Sequence, residues 1–139
     1  MKTKINPKLA FIPAILLMAI CLTACDDDDD YGPMGSALTS YGWELYSVNN
    51  IPVYQSDVVE FQFYPGGGGT YGRYDYSMNW YTVPITWDMY SQGPYTYLQV
   101  WVDSTGQTWD YRITMSGGYN PTMQLVDMDN GNVLLFDSY

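Results

Sequence analysis

The chain has 139 residues, a formal net charge of −10 and no histidine. With only five Lys and Arg residues it lacks the basic clusters that neutralise nucleic-acid phosphates, which excludes nucleic acid as a partner. Without histidine, the Ser–His and Cys–His catalytic pairs and His-based metal sites are excluded as well, and we predict a protein that is not an enzyme and holds no cofactor or metal.

The N-terminus has the pattern of a secretory signal peptide. Lys2, Lys4 and Lys8 precede an apolar run over residues 9 to 20. This run is shorter than the roughly 20 residues that a membrane-spanning helix needs, and it contains Pro13. We therefore predict that residues 1–24 are a signal peptide that is removed, not a permanent membrane anchor.

The signal peptide ends in Leu22, Thr23, Ala24 and Cys25. These four residues resemble the lipobox of bacterial lipoproteins, which implies cleavage before Cys25 and a diacylglycerol on its sulfur. The alternative is a disulfide with Cys21, but Cys21 would leave with the signal peptide. A mature chain with one cysteine forms no internal disulfide, so its stability must come from its own core.

Five consecutive aspartates follow: Asp26, Asp27, Asp28, Asp29 and Asp30. Like charges in a row repel one another and cannot be buried, which predicts a solvated tether. Cys25 followed by this run also resembles the surface-export signal of Bacteroidota lipoproteins, which implies a lipid-anchored protein on the outer face of the outer membrane. Residues 31 to 40 are mostly small or turn-forming, so we predict one flexible linker over residues 25–40.

After residue 41 short runs alternate apolar and polar residues between turn-forming ones, as half-buried strands do. Pro84 lacks the N–H that a strand ladder needs, which predicts a sheet edge or a bulge. Asn130 and Gly131 are residues that a type I′ hairpin turn prefers. The eight predicted strands are Trp43 to Val48, Val58 to Tyr64, Thr70 to Tyr76, Met78 to Met89, Tyr95 to Asp103, Gln107 to Met115, Met123 to Met128 and Val133 to Phe136.

Eight short strands with short connections predict an all-β domain over residues 41–139, a small antiparallel up-and-down barrel whose closure removes exposed sheet edges. The order of several positions resembles the small lipocalin-like domains of Bacteroidota lipoproteins, which implies the same barrel but assigns no ligand. These positions are Gly42 and Trp43, Phe61 and Phe63 before a glycine-rich turn, Trp87, Leu98 and Val100, Tyr111 to Ile113, Met123 and Leu125, and Phe136.

Large side chains at the inward positions decide whether the barrel is filled or hollow. An eight-stranded barrel is only just wide enough to be filled by side chains or to hold one small ligand. With so many large rings we expect a packed interior, and a cavity for a small apolar ligand stays open as the alternative. The inward rings are Trp43, Phe61, Phe63, Trp87, Trp109 and Tyr111.

A second set of aromatic residues lies at predicted outward positions. Exposed rings can stack on sugars or anchor a protein partner, although Tyr and Trp are also good strand formers. We predict a binding module for a glycan or an envelope protein, with a structural subunit of an outer-membrane complex and a carrier of a small apolar ligand as alternatives. The candidate binding residues are Tyr71, Trp80, Tyr81, Tyr97 and Trp101.

Overall fold

Antiparallel strands dominate the structure, a computed structural model that describes residues 32–139. The predicted signal peptide, Cys25 and the aspartates from Asp26 to Asp30 lie outside the described residues. The described part contains helix α1 (Gly32–Ser40) and the strands β1 (Gly42–Val48), β2 (Ile51–Pro52), β3 (Val59–Phe63), β4 (Gly68–Tyr74), β5 (Trp80–Gln92), β6 (Tyr95–Val102), β7 (Thr108–Met115), β8 (Thr122–Asp127) and β9 (Val133–Ser138), with a 3₁₀ turn at Gln55–Asp57.

The sheet closes on itself. From β3 to β9 each strand pairs with the next along the chain, and β1 pairs with both β3 and β9. Leu45 of β1 lies opposite Phe136 of β9, and a bulge at Tyr46 shifts the register beyond this pair. The predicted eight-stranded barrel is confirmed, and the two-residue strand β2 is an addition beside β1.

Alternation along the strands fills the barrel with side chains. Phe61 packs against Phe63, Trp109 and Phe136, with ring centroids 5.4, 6.3 and 5.7 Å apart. Trp87 is also buried, and its indole Nε1 donates a hydrogen bond to the Gly68 carbonyl at 2.8 Å. Rings that meet across the barrel occupy the space that a ligand would need, in agreement with the packed interior that we expect from the sequence.

Helix α1 replaces part of the predicted linker, and the linker prediction is wrong from Gly32 onward. Leu38 is fully buried, and its carbonyl accepts a hydrogen bond from the Trp43 indole at 2.9 Å. Nine residues make a marginal helix in isolation, so tertiary packing of Leu38 stabilises this one. Within residues 32–139 no helix is long and apolar enough to span a membrane.

Pro84 occupies a local edge inside the long strand β5. It lies opposite Thr70 of β4, whereas pairing with β6 begins one residue later, at Ile85 opposite Val102. The Pro84 carbonyl accepts from the Asp103 amide at 3.2 Å, so its nitrogen faces the side on which β6 has already ended. Proline has no N–H to return the second bond of this pair to Asp103, so the regular β5–β6 ladder starts at Ile85, and neither pairing shows a bulge there.

The predicted type I′ turn is wrong, although the β8–β9 hairpin that contains it is confirmed. Of Asn130 and Gly131 only the glycine has a positive φ, and five residues link the strands. Hydrogen bonds from the Asp129 amide and the Asn130 side chain to the Asp127 carboxylate hold this longer loop. Positive φ at two successive residues, as type I′ requires, occurs instead at Asn49 and Asn50 between β1 and β2.

Candidate functional site

The five candidate binding residues do not form one surface. Residues directly opposite each other on paired strands point to the same face of the sheet. Tyr71 lies opposite Phe61 and Val83, and Tyr81 lies opposite Arg73, so both tyrosines are on the inward face near one end of the barrel. The prediction that Tyr71 and Tyr81 face outward is wrong. The glycines and tyrosines of β4 do not mark a face around Tyr71, and Tyr81 shares the inward parity of Val83, Ile85 and Trp87 on β5.

Trp80 is on the outer face, as predicted, but apart from Tyr97 and Trp101. Its ring packs edge-on against Tyr74, with centroids 4.9 Å apart. It also covers Gly72 so closely that a Cβ there would overlap the indole ring. Trp80 therefore covers the space that Gly72, which has no side chain, leaves on the outer face of the sheet. Packing alone explains the outward position of Trp80.

Tyr97 belongs to a row of rings across the outer face of strands β5 to β7. It lies opposite Tyr90, and the two rings stack with centroids 5.2 Å apart and planes 16° apart. On the other side it lies opposite Arg112, whose guanidinium carbon is 5.0 Å from the centroid of the Tyr95 ring. Tyr90 and Tyr95 are 46 % and 47 % exposed. Sequence reasoning missed both, although Tyr90 shares its parity with Asp88.

Trp101 extends this row along β6, four residues from Tyr97 on the same face and about 13 Å away at the usual rise of a strand. Between the two rings lies Gln99, whose amide donates to the Asp110 carboxylate at 2.7 Å. Asp88 lies opposite Gln99 on the other side. The surface defined by Tyr90, Tyr95, Tyr97, Trp101 and the polar side chains between them is called the outer wall below.

A cleft of about 430 Å³ opens at the end of the barrel where Tyr71 lies. The 3₁₀ turn forms one side, and the β4–β5 hairpin forms the other. It is called the mouth cleft, and its lining residues are Ser56, Asp57, Val58, Val59, Tyr71, Arg73, Tyr74, Asp75, Tyr76 and Met78.

Arg73 is the cation of the mouth cleft. Its guanidinium carbon lies 5.9 Å from the centroid of the Tyr81 ring, and the guanidinium interacts with the Tyr71 hydroxyl. Burial raises the pKa of Tyr71, and the neighbouring Arg73 opposes this effect, so Tyr71 is a neutral phenol at physiological pH. Sequence reasoning missed Arg73, because a single charged residue beside tyrosines has no distinctive pattern.

Asp75, at the rim of the mouth cleft, is tied into the β4–β5 turn. One carboxylate oxygen accepts hydrogen bonds from the amides of Ser77 and Asn79 at 2.8 and 2.9 Å. The bond from Asn79 is the main cause that lowers the pKa of Asp75, so its carboxylate is charged and held within the turn.

The acidic side chains are dispersed over the described part of the chain. Glu60 accepts a hydrogen bond from the Tyr139 hydroxyl at 3.1 Å, Asp75 is at the rim of the mouth cleft, and Asp88 and Asp110 flank Gln99 on the outer wall. Within residues 32–139 no three Asp, Glu, Cys or His side chains are grouped as a metal site would require.

Comparisons with protein-family models, curated proteins and solved structures give no match. The function must therefore be derived from the outer wall and the mouth cleft themselves.

Proposed function

We propose that the protein is a lipid-anchored, non-catalytic binding module at the outer face of the outer membrane, and that its ligand is a glycan bound along the outer wall. The observation that carries the proposal is the alignment of half-exposed rings with hydrogen-bonding groups between them. Tyr90 stacks on Tyr97, and Trp101 follows on the same strand face beyond Gln99.

This arrangement suits the two kinds of surface on a sugar. The apolar C–H face of a pyranose ring packs on an aromatic ring, and its hydroxyls exchange hydrogen bonds with amides and carboxylates. Tyr97 and Trp101 supply the rings, while Gln99 and Asp110 supply donors and acceptors. Stacking and strand pairing fix the rings before binding, which lowers the entropic cost of complex formation.

The charges on the outer wall favour a glycan over a protein partner. The buried centre of a protein–protein interface is depleted in charged residues and enriched in apolar ones. Here Asp88 and Asp110 lie at the centre, on both sides of Gln99. Burying them against a protein would remove their water, whereas glycan hydroxyls can replace it.

A carrier of a small apolar ligand is a weaker candidate, because aromatic side chains fill the barrel. Phe63 and Trp87 meet edge-on with centroids 5.7 Å apart, next to the Phe61 cluster. An apolar ligand would have to displace these contacts.

A glycan array with the lipidated protein in detergent tests for the ligand, and titration calorimetry with the best glycan then tests the outer wall. Trp101→Ala should weaken binding by about 2 kcal/mol, as expected of an aromatic anchor. Tyr119→Ala is the matched control, since Tyr119 is 95 % exposed in the loop between β7 and β8. Equal losses in both variants, or capture of no glycan, would refute a glycan site on the outer wall.

The location has a separate test in the acidic run. Replacing Asp26 to Asp30 with Ser and Gly should leave the lipoprotein on the periplasmic face, where protease added to whole cells cannot reach it. Replacing the exposed residues of the loop between β7 and β8 with Ser and Gly is the control for general effects on export. If both proteins are cleaved on whole cells as readily as the native one, the run is only a solubilising tether.

A further inference from the structure

We propose that the mouth cleft is a second binding site, and that it takes a uronic acid residue whose carboxylate binds the Arg73 guanidinium. This site is at the end of the barrel and uses none of the outer-wall residues, so it can exist whether or not the outer wall binds a glycan.

The Arg73 guanidinium has N–H donors available for a carboxylate. Its central carbon lies 5.9 Å from the centroid of the Tyr81 ring, the guanidinium interacts with the Tyr71 hydroxyl, and within residues 32–139 it forms no ion pair with a carboxylate. A guanidinium has five N–H donors in a planar fork that matches a carboxylate with two parallel hydrogen bonds. The contacts with Tyr71 and Tyr81 restrict the fork and leave most of its donors available.

The charge of the lining favours a ligand with few negative charges. The cleft places Asp57 and Asp75 around the single Arg73, so an anionic group is stabilised only where it contacts Arg73 directly. Each further negative charge, as on phosphate, adds repulsion from the two aspartates, whereas a monocarboxylate on an otherwise neutral sugar keeps this repulsion smallest. Asp57 is exposed and can accept hydrogen bonds from hydroxyl groups, which a sugar provides.

The depth of the cleft favours a ring over an acyl chain. Below Tyr71 the interior is closed by Phe61 and Trp109, whose ring centroids lie 5.3 and 5.0 Å from that of Tyr71. A fatty acid whose carboxylate bound Arg73 would therefore have no apolar channel for its acyl chain. A volume of about 430 Å³ is within the range of small-molecule sites, and Val59 and Met78 provide apolar surface for a sugar ring.

Isotope-edited NMR on the full lipidated chain in detergent tests the proposal, with sodium glucuronate, glucose and sodium phosphate as probes. Glucuronate should shift the Arg73 side-chain Nε–H signal in a saturable way, while glucose and phosphate should bind at least about tenfold more weakly. Saturable shifts of equal affinity with glucose would overturn the role of the carboxylate. A tighter response to an uncharged-side-chain peptide with a free C-terminus would overturn the sugar as its carrier.

Arg73→Gln should lower glucuronate affinity about tenfold or more, the scale of a lost charge-assisted hydrogen bond. Tyr119→Ala is the control, because Tyr119 is 95 % exposed in the loop between β7 and β8 and belongs to neither the mouth cleft nor the outer wall. Arg73→Lys keeps the charge without the planar fork and should fall between native and Arg73→Gln. Equal affinity in native protein and both Arg73 variants, each with an unchanged melting temperature, would overturn the proposal.

Discussion

Trp101 and Trp109, on neighbouring strands, show how the face of a strand sets the role of a residue. Trp109 points inward as predicted and packs on Tyr71, but it lies near the open end and is half-buried. Trp101 points outward beside Gln99. Phe61 is the deeper core residue, with 2 % of its surface exposed and four neighbouring rings.

Phe61→Ala and Trp101→Ala should therefore differ in their effect on the free energy of unfolding. Removal of the buried Phe61 ring leaves a cavity and should cost about 3 to 5 kcal/mol, a large share of the roughly 5 to 15 kcal/mol of a small domain. Trp101→Ala on the outer wall should cost nearer 1 kcal/mol. Urea unfolding of both variants measures the difference, and equal losses would show that Trp101 supports the fold more than a binding surface.

The buried Tyr111 makes the stability of the folded state depend on pH in the alkaline range. Burial raises the pKa of Tyr111 well above its usual value of about 10, and the carboxylate of Asp127 raises it further. Because the folded state holds the proton more tightly than the unfolded one, this contribution to stability is complete below about pH 10 and is lost as the pH rises further.

Urea unfolding between about pH 9 and about pH 12 should show native stability falling with pH. The decline should be shallower in Tyr111→Phe, which has no proton to lose at this position. Tyr119→Phe should follow the native curve, because Tyr119 is almost fully exposed. Parallel curves for native protein and Tyr111→Phe would contradict this linkage.

At the scale of the elements, the β3–β4 connection shows why a glycine-rich run is more than a flexible turn. Gly66 and Gly67 have positive φ, which suits glycine in the turn itself. Gly69 is already in β4 opposite Phe63, where a Cβ would overlap the backbone carbonyl of Gln62. Its neighbour Gly68 has open space at the corresponding point.

Gly69→Ala and Gly68→Ala form a matched pair in this element. Gly69→Ala should cost roughly 1 to 3 kcal/mol, because the β3 backbone must move to admit the methyl group. Gly68→Ala should be neutral or stabilising by up to about 1 kcal/mol, since it restricts the unfolded chain without a clash. Thermal unfolding of both variants tests this, and the opposite order would mean that the β3–β4 register differs from the one described.

At the scale of the whole molecule, the barrel is closed by pairing between its first strand, β1, and its last strand, β9. Trp43 pairs with Ser138, and the Tyr139 amide donates to the Gly42 carbonyl at 3.0 Å. Closure leaves the barrel wall with few free edges, which stabilises a domain whose residues 32–139 contain no cysteine. The predicted mature chain has two basic against fifteen acidic residues, a net charge of −13, so charge repulsion favours its solubility.

The predicted lipid anchor on Cys25 concerns the whole molecule, because it would attach the protein to a membrane. Cys25→Ser should abolish lipidation and release the protein from membranes, as the lipobox at Leu22 to Cys25 implies. Fractionation and intact mass measure both effects. A variant that stays in the membrane pellet with the native lipid mass would disprove lipidation at Cys25, and release of the native protein by mild salt would disprove an anchor altogether.

The sequence by itself determined the eight barrel strands, their order and the closure of the barrel, but not the short strand β2, since a two-residue period is visible wherever polar residues mark one face. Val83, Ile85 and Trp87 on β5 illustrate this. The packing of β4 against β3 decided that Tyr71 faces inward, because glycine and tyrosine do not mark a face. Tertiary contact stabilised helix α1, in which Leu38 is buried and Met34, one turn earlier, packs partly against the core; nine residues with two such side chains are too short to predict a helix. Tertiary contact also assembled the mouth cleft, because Asp57 and Arg73 lie on separate elements and meet only when the barrel is closed.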